Sequence, residues 1–356
     1  MSPNSMDELA SAGSREFPTV VYAWDFSRWK KPVVRQFFEG SRVVFVRRAS
    51  QVKPGSTLAL WGCRPVPDNL PDGVRIIRLE DGFLRSVGLG ADLIRPLSWV
   101  IDTCGIYYDA TRPSDLEILL QTTEFTSGLL IRAASFRERV VSSGLTKYNV
   151  GSRSWQRPQS DKRVILVPGQ VESDASLAFG APGIRSNLGL LHAVRQAHPH
   201  AWLVYKPHPD VLAGLRAKGK GEDEAAAWCD EQVTDVSMGE LLSRVDEVHV
   251  LTSLAGFEAL LRGRAVTCYG QPFYAGWGLT TDLLAVPRRT RQLSLDELVA
   301  GVLLLYPAYV GLGSGRCTTA ESALDELVTW RASVGDHVTW WRKLFRVILR
   351  RIVGVR

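Results

Sequence analysis

The chain lacks the marks of several specialised classes. Its five cysteines, Cys63, Cys104, Cys229, Cys268 and Cys317, are scattered without a Cys-x-x-Cys pair. An odd, unpatterned set argues against both a complete disulfide framework and a zinc site, so a reducing cytoplasm is expected. His192, His198, His200 and His249 fall on helix or strand patterns and do not have the spacing of metal ligands. Residues 1–16 contain Asp7 and Glu8 and no apolar stretch of signal-peptide length, and are expected to be a disordered lead-in. No repeat of 20–50 residues and no low-complexity tract is visible.

Charge is unevenly placed. The formal net charge is +6, but after Asp336 come Arg342, Lys343, Arg346, Arg350, Arg351 and Arg356 with no acid, which leaves the body close to neutral. Nucleic-acid binders more often spread Lys and Arg over a folded face with stacking aromatics, and no helix-turn-helix, RRM or finger pattern is present, so nucleic acid is set aside. The tail reads as a basic amphipathic helix over 336–356. Trp341, Leu344, Phe345, Ile348, Ile352 and Val355 share one face, with Arg342, Lys343, Arg346 and Arg350 on much of the other. Charges interrupt the roughly 20 apolar residues that a membrane span needs. The tail is expected to lie on an anionic membrane surface, with packing against the protein as the alternative.

Three hundred and fifty-six residues suit two α/β domains of about 150 residues each. In the first half, strand-like runs at Thr19–Trp24, Val43–Val46, Leu58–Trp61 and Val74–Leu79 alternate with a helix candidate at Pro32–Phe38. Trp99–Asp102 and Gly105–Tyr108 read as a further extended pair. Ser114 before Asp115-Leu116-Glu117 supplies a helix N-cap, and a long helix is expected through Ile131–Val141. The polar stretch Gly151–Lys162 with Pro158 is the linker candidate. Beyond it, strands at Val164–Val167, Ala201–Tyr205 and Val248–Leu251 alternate with helices around Leu188–Val194, Glu240–Leu242 and Phe257–Leu261. Such alternation predicts parallel strands joined by right-handed crossovers. The expected division is 17–155, 156–290, C-terminal helices over 291–335, and the tail.

Four polar clusters close apolar runs: Glu80-Asp81-Gly82, Gln170 to Asp174, Lys206-Pro207-His208-Pro209 and Thr252-Ser253. Open α/β sheets bind ligands outside the carboxyl ends of their strands, so these ends read as one ligand site, suited to transfer from a phosphate-bearing sugar. Thr252-Ser253 opens a helix that contains Glu258. Free N–H groups there could bind phosphate and Glu258 a ribose, although ordinary capping is the commoner reason for Ser and Thr at a helix start. His208 between two prolines is aimed by a stiff frame at a phosphate or leaving-group oxygen, with Lys206 adding charge; a turn histidine is the bland reading. Asp174 could act as base or nucleophile, and Glu80 and Asp81 offer a second acid pair, unless these acids serve caps or ion pairs with Arg85 and Arg185. Tyr274 and Trp277 could wall a sugar, though an aromatic, glycine-rich turn is more often core packing.

Taken together, the segments resemble the capsule polysaccharide synthesis family of β-Kdo glycosyltransferases, the KpsC type, and in particular its second catalytic module. The resemblance rests on Trp61-Gly62-x-Arg64-Pro65, the run from Leu79 to Ser86, Gly105-Ile106-Tyr107-Tyr108-Asp109-Ala110, and the run from Val167 to Asp174. It continues, in collinear order, through Tyr205-Lys206-Pro207-His208-Pro209-Asp210, Thr252-Ser253-x4-Glu258, and the run from Cys268 to Gly278.

Membership implies a GT-B-like pair of Rossmann-type domains, CMP-Kdo as donor and retention of the β configuration. It implies Asp174 as nucleophile, with Glu80 and Asp81 as further catalytic acids. Gln170, Arg185, Lys206, His208, Pro209, Thr252, Ser253, Glu258 and Gln271 would hold the donor, and Arg85, Tyr274 and Trp277 the acceptor or sugar wall. The lack of an Asp-x-Asp motif fits a metal-free site, and no other cofactor is implied. Arg85, Arg185 or Lys206 would neutralise the Kdo carboxylate.

The best-known relatives carry two such modules, and one module suits the addition of a single Kdo or a single linkage type. A lipid-linked glycan acceptor, a polysaccharide assembly complex and the inner face of a bacterial inner membrane are the implied surroundings. Another CMP-sugar transferase of the sialyltransferase kind, an epimerase of GT-B architecture, and a non-catalytic assembly or export accessory remain alternatives.

Overall fold

The computed structural model describes residues 17–87, 94–147, 151 and 153–334. The lead-in 1–16 and the tail 336–356 lie outside them.

Apolar, β-branched runs form the strands. In the first sheet β1 (Val20–Trp24), β2 (Arg42–Val46), β3 (Thr57–Trp61) and β4 (Arg75–Asp81) are parallel. Helix α1 (Lys30–Phe37) turns Val33, Val34 and Phe37 onto them, and Phe37 stacks on Trp99 with ring centroids 4.7 Å apart. Helices α2 (Asp115–Thr122) and α3 (Ser127–Ser142) start where Ser114 and Thr126 accept backbone N–H bonds.

The second sheet is wholly parallel. Its strands are β6 (Val164–Pro168), β7 (Trp202–Lys206), β8 (Glu231–Gln232), β9 (Glu247–Val250), β10 (Ala265–Cys268) and β11 (Thr281–Asp282), in the order β11-β10-β9-β6-β7-β8. Between them lie α4 (Ala175–Gly180), α5 (Asn187–Ala197), α6 (Pro209–Leu212), α7 (Met238–Arg244) and α8 (Leu254–Leu261).

Three expectations need correction. The first sheet is mixed: β5 (Ser98–Asp102) runs antiparallel to β4, because no described residue between Asp81 and Ser98 forms the crossover helix that a parallel return usually needs. Gly105–Tyr108 is a turn, since Asp102 Oδ1 accepts the N–H groups of Cys104 and Gly105 at 3.0 and 2.7 Å and closes the chain on itself. The segment 291–335 contributes more than helices. After α9 (Leu295–Val299) and a π-helical stretch at Ala300–Leu305, β12 (Pro307–Val310) and β13 (Cys317–Thr318) return to the first sheet before α10 (Ala320–Val334). The first sheet therefore has the order β13-β12-β5-β4-β3-β1-β2.

The halves share one apolar core, in which Phe83, Tyr107 and Tyr306 meet Phe257 and Phe273. At its rim the Glu117 carboxylate accepts Arg288 at 2.7 Å and the buried Arg289 at 3.0 Å. No described helix is long and apolar enough to cross a membrane.

Candidate active site

Four strand ends converge on one cleft. At the end of β6, Gln170 spans to the end of β9: its Nε2 donates to Thr252 Oγ1 at 3.0 Å and its Oε1 accepts the Thr252 N–H at 2.9 Å. Asn187 holds the Gln170 backbone from the other side. The amide so engaged locks β6 to β9. It fixes where the following turn delivers Asp174.

Asp174 stands at the N-cap of α4, yet its side chain makes no capping hydrogen bond. Its nearest partner is Arg216, 3.5 Å away. Burial raises the Asp174 pKa, against the opposing pull of Arg216 and Lys147. The carboxylate is two-fifths exposed, so it is open to a ligand beside Arg216.

His208 caps α6. Its Nδ1 accepts the Asp210 N–H at 3.1 Å, which puts the ring proton on Nε2 in the neutral form. Burial first, then the charges of Lys147, Arg216 and Lys206, push its pKa down to about 4, so at neutral pH it is an uncharged Nε2–H donor. Pro209 occupies the first helical position. Ser253 caps α8 by accepting the Ala255 N–H at 3.2 Å.

The first sheet brings its acids to the same cleft. Tyr108 donates to Glu80 Oε2 at 3.3 Å, and Asp81 accepts Arg85 Nε at 2.6 Å and Trp99 Nε1 at 3.2 Å. Burial and the Asp81 charge push Glu80 up to about 6, with Lys30 and Lys147 opposing. Burial would raise Asp81 too, but Arg85, Lys30 and Lys147 outweigh it and hold the Asp81 pKa below normal. The pair is thereby split into one carboxylate suited to exchange a proton near neutrality and one fixed as an anion.

Gly62, at φ 56°, leaves β3 where a Cβ would stand 2.7 Å from Tyr108 Oη and 3.1 Å from Glu80 Oε2. Only glycine combines that conformation with that approach. Gly180, at the end of α4, packs against both the Tyr108 backbone and Thr252, joining the two acid-bearing edges.

Sequence reasoning missed Lys147, Arg216 and Lys30. Lys147 lies within electrostatic reach of Glu80, Asp81, Asp174, His208 and Glu258, and its backbone N–H is held by Glu258 at 2.7 Å. It follows α3 in Leu145-Thr146-Lys147, a stretch with no recognisable signature. Lys30 rests over Trp61, 3.0 Å from the ring centroid.

Several expected residues are placed differently. Arg85 is 2% exposed and its guanidinium serves Asp81 and Ser86, so it cannot wall a sugar. Tyr274 and Trp277 are fully buried; Tyr274 donates to the Ser253 carbonyl and Trp277 to that of Phe273, which makes them the foundation of the α8 start. Lys206 donates to the Val236 carbonyl at 2.7 Å from a buried position. Glu258 accepts the Lys147 N–H at 2.7 Å and is pushed up to about 6 by burial, so it anchors Lys147 where a ribose contact was expected. Gln271 Nε2 donates to the Ala285 carbonyl, and Arg185 Nε to that of Ala181 on an exposed side chain.

The capsule polysaccharide biosynthesis protein family matches residues 70–129 and 132–312. The capsule polysaccharide modification protein LipA of Neisseria meningitidis serogroup A is 43% identical over 318 residues, covering 86% of this chain and 45% of LipA. The lipopolysaccharide-processing protein LpsZ of Rhizobium meliloti is 40% identical, over 84% of this chain and 72% of LpsZ. The chain thus spans about half the length of LipA. Among solved structures, the KpsC β-Kdo 2,7 transferase of Thermosulfurimonas dismutans aligns at 44% identity and TM-score 0.72, covering 87% of this chain and 98% of that one. The β-Kdo 2,4 transferase of the same KpsC aligns at 32% identity and TM-score 0.75, covering 88% and 99%.

Proposed function

The chain belongs to the capsule polysaccharide biosynthesis protein family, and from that membership and the cleft we propose that it is a retaining glycosyltransferase that moves Kdo from CMP-Kdo to a lipid-linked glycan. The observation that carries the reading is the Asp174 carboxylate, which stands at the start of α4 without capping it, together with Glu80 at the end of β4, both within electrostatic reach of Lys147. The two sheets then act as the paired halves of a GT-B-like enzyme, with the second taking the donor.

In the first displacement the Asp174 carboxylate attacks the anomeric carbon, and the bond to the CMP phosphate breaks with its electron pair leaving on the phosphate. His208 Nε2–H and the start of α8 receive that oxyanion. In the second, an acceptor hydroxyl attacks the glycosyl–aspartyl carbon, Asp174 leaves as carboxylate, and the hydroxyl proton passes to Glu80. Two inversions give retention. Lys147 and Arg216 balance the donor carboxylate, since Lys206 and Arg85 are engaged elsewhere. Higher identity to the 2,7 enzyme than to the 2,4 enzyme, 44% against 32%, supports O7 of a Kdo residue as the acceptor atom. Purified protein given CMP-Kdo and a Kdo-terminated acceptor should release CMP and form a product whose NMR spectrum reports the β-2,7 linkage. Release from CMP-sialic acid alone, or from neither donor, would overturn the assignment.

Residues 337–356 place the enzyme on the cytoplasmic face of the inner membrane in this reading, beside other polysaccharide-assembly proteins. Full-length protein should sediment with anionic liposomes at low salt and a chain ending at Asp336 should not; equal sedimentation would remove the membrane role.

A further inference from the structure

The first-sheet side of the cleft carries positive charge that the two displacements do not use. In the order β4-β3-β1-β2, the chain adds β2 on one flank of β1 and then β3 on the other. The carboxyl ends of β1 and β3 therefore border the crevice at which open α/β sheets take ligands. Asp25 leaves β1 with φ 47°, a left-handed conformation that a non-glycine residue keeps where its surroundings hold it. Here the surroundings are two arginines. Arg64 Nη1 donates to the Asp25 carbonyl at 3.0 Å and stands 3.6 Å from its carboxylate, while Arg47 Nε is 3.1 Å from the other carboxylate oxygen.

One carboxylate thus orients two guanidinium groups whose side chains remain 47% and 74% exposed. Each keeps donors for another oxyanion. Lys30 lies over the Trp61 ring at the end of β3, close enough to feel Glu80, Asp81 and Arg64 together. Beside Arg47 a recess of about 230 Å³, lined also by Lys31, Phe45 and Gln51, opens at the ends of β1 and β2. Pockets that enclose a whole ligand run to roughly 300–1,000 Å³, so this one suits a single residue of a longer chain.

We propose that this edge is an acceptor subsite holding the carboxylate of an acidic sugar, at least one residue removed from the hydroxyl that reacts beside Glu80. The inference rests on the glycosyltransferase reading for the identity of its ligand, and it adds how a growing acidic glycan is gripped. Cations strung along β2, β1 and β3 draw the chain toward the acids, and Arg47 and Arg64 set its register.

The test is equilibrium binding of a short Kdo oligosaccharide, measured by calorimetry without donor, so that no turnover is required. R47Q/R64Q should bind the oligosaccharide about tenfold or more weakly, whereas its carboxyl-reduced counterpart should bind both proteins alike. The single variant R47Q, at a more exposed side chain, should show part of the same loss and serves if the double variant melts early. Unchanged affinity in the variants, equal loss with the reduced oligosaccharide, or displacement of the oligosaccharide by equimolar glycerol phosphate would overturn the proposal. If the unaltered protein releases no CMP yet distinguishes the two oligosaccharides through Arg47 and Arg64, the transfer reading fails and the subsite stands.

Discussion

Asp174→Ala should lower CMP-Kdo turnover by roughly four orders of magnitude or more while the protein melts almost as before. Losing a nucleophile removes the covalent path and leaves only what binding and the phosphate donors supply. The fold has little to lose at this position. Ser114, Thr126, Ser186, Ser237 and Ser294 all hold the helices they precede, whereas Asp174 makes no such bond to α4 and, among the described residues, pairs with Arg216 alone, 3.5 Å away. An exposed pair of that kind contributes at most about 1 kcal/mol. Steady-state CMP release and a melting curve decide the matter, and a variant that turns over within tenfold of the parent would remove Asp174 from the chemistry.

The second large effect is expected at Glu80. Glu80→Gln should lower turnover by about 10²–10⁴-fold, the usual contribution of a positioned base. Its place in the sequence of steps can be read separately, because the first displacement needs no base. The variant should therefore still release a burst of about one CMP per enzyme before stalling, which Asp174→Ala should not. The pH dependence follows from the carboxyl pushed up to about 6. A base works only when ionised, so parent turnover should halve near pH 6 and fall about tenfold per unit below it, with no such limb in the variant. A burst that vanishes, or an acid limb that persists in Glu80→Gln, would move the base elsewhere.

What could be read in the sequence was set by local rules. Every expected strand but Gly105–Tyr108, the Ser114 cap, the Pro-framed histidine and the four polar strand ends depend on neighbours within a few positions, and each of these lies where those rules put it. The errors have a common cause. Glu258 is one turn inside a helix behind Thr252-Ser253, which reads as a ribose contact, but its oxygen is taken by the backbone of Lys147, 111 positions away. Arg85 follows Asp81 by four residues and turns back to it, a pairing that spacing alone cannot tell from an arginine aimed at a ligand. Tyr274 and Trp277 resemble a sugar wall by family pattern, but they follow the commoner fate of an aromatic, glycine-rich turn and lie inside the shared core. Lys147 and Lys30 had no motif to reveal them, since their importance comes from the packing of one sheet's edge against the other.

The late strands β12 and β13 give this protein an order of assembly. β5 is flanked by β4 on one side and by β12 on the other, and Asp102 at its end accepts the Tyr306 hydroxyl at 2.7 Å across 204 positions. While the chain is being synthesised, the whole second sheet leaves the ribosome before the residues that cover the outer edge of β5 exist. Unpaired edges invite wrong partners, and domains fold as their sequence emerges. The strands of the second sheet can thus pair on a nascent chain whose first sheet is still open, and the first sheet closes last.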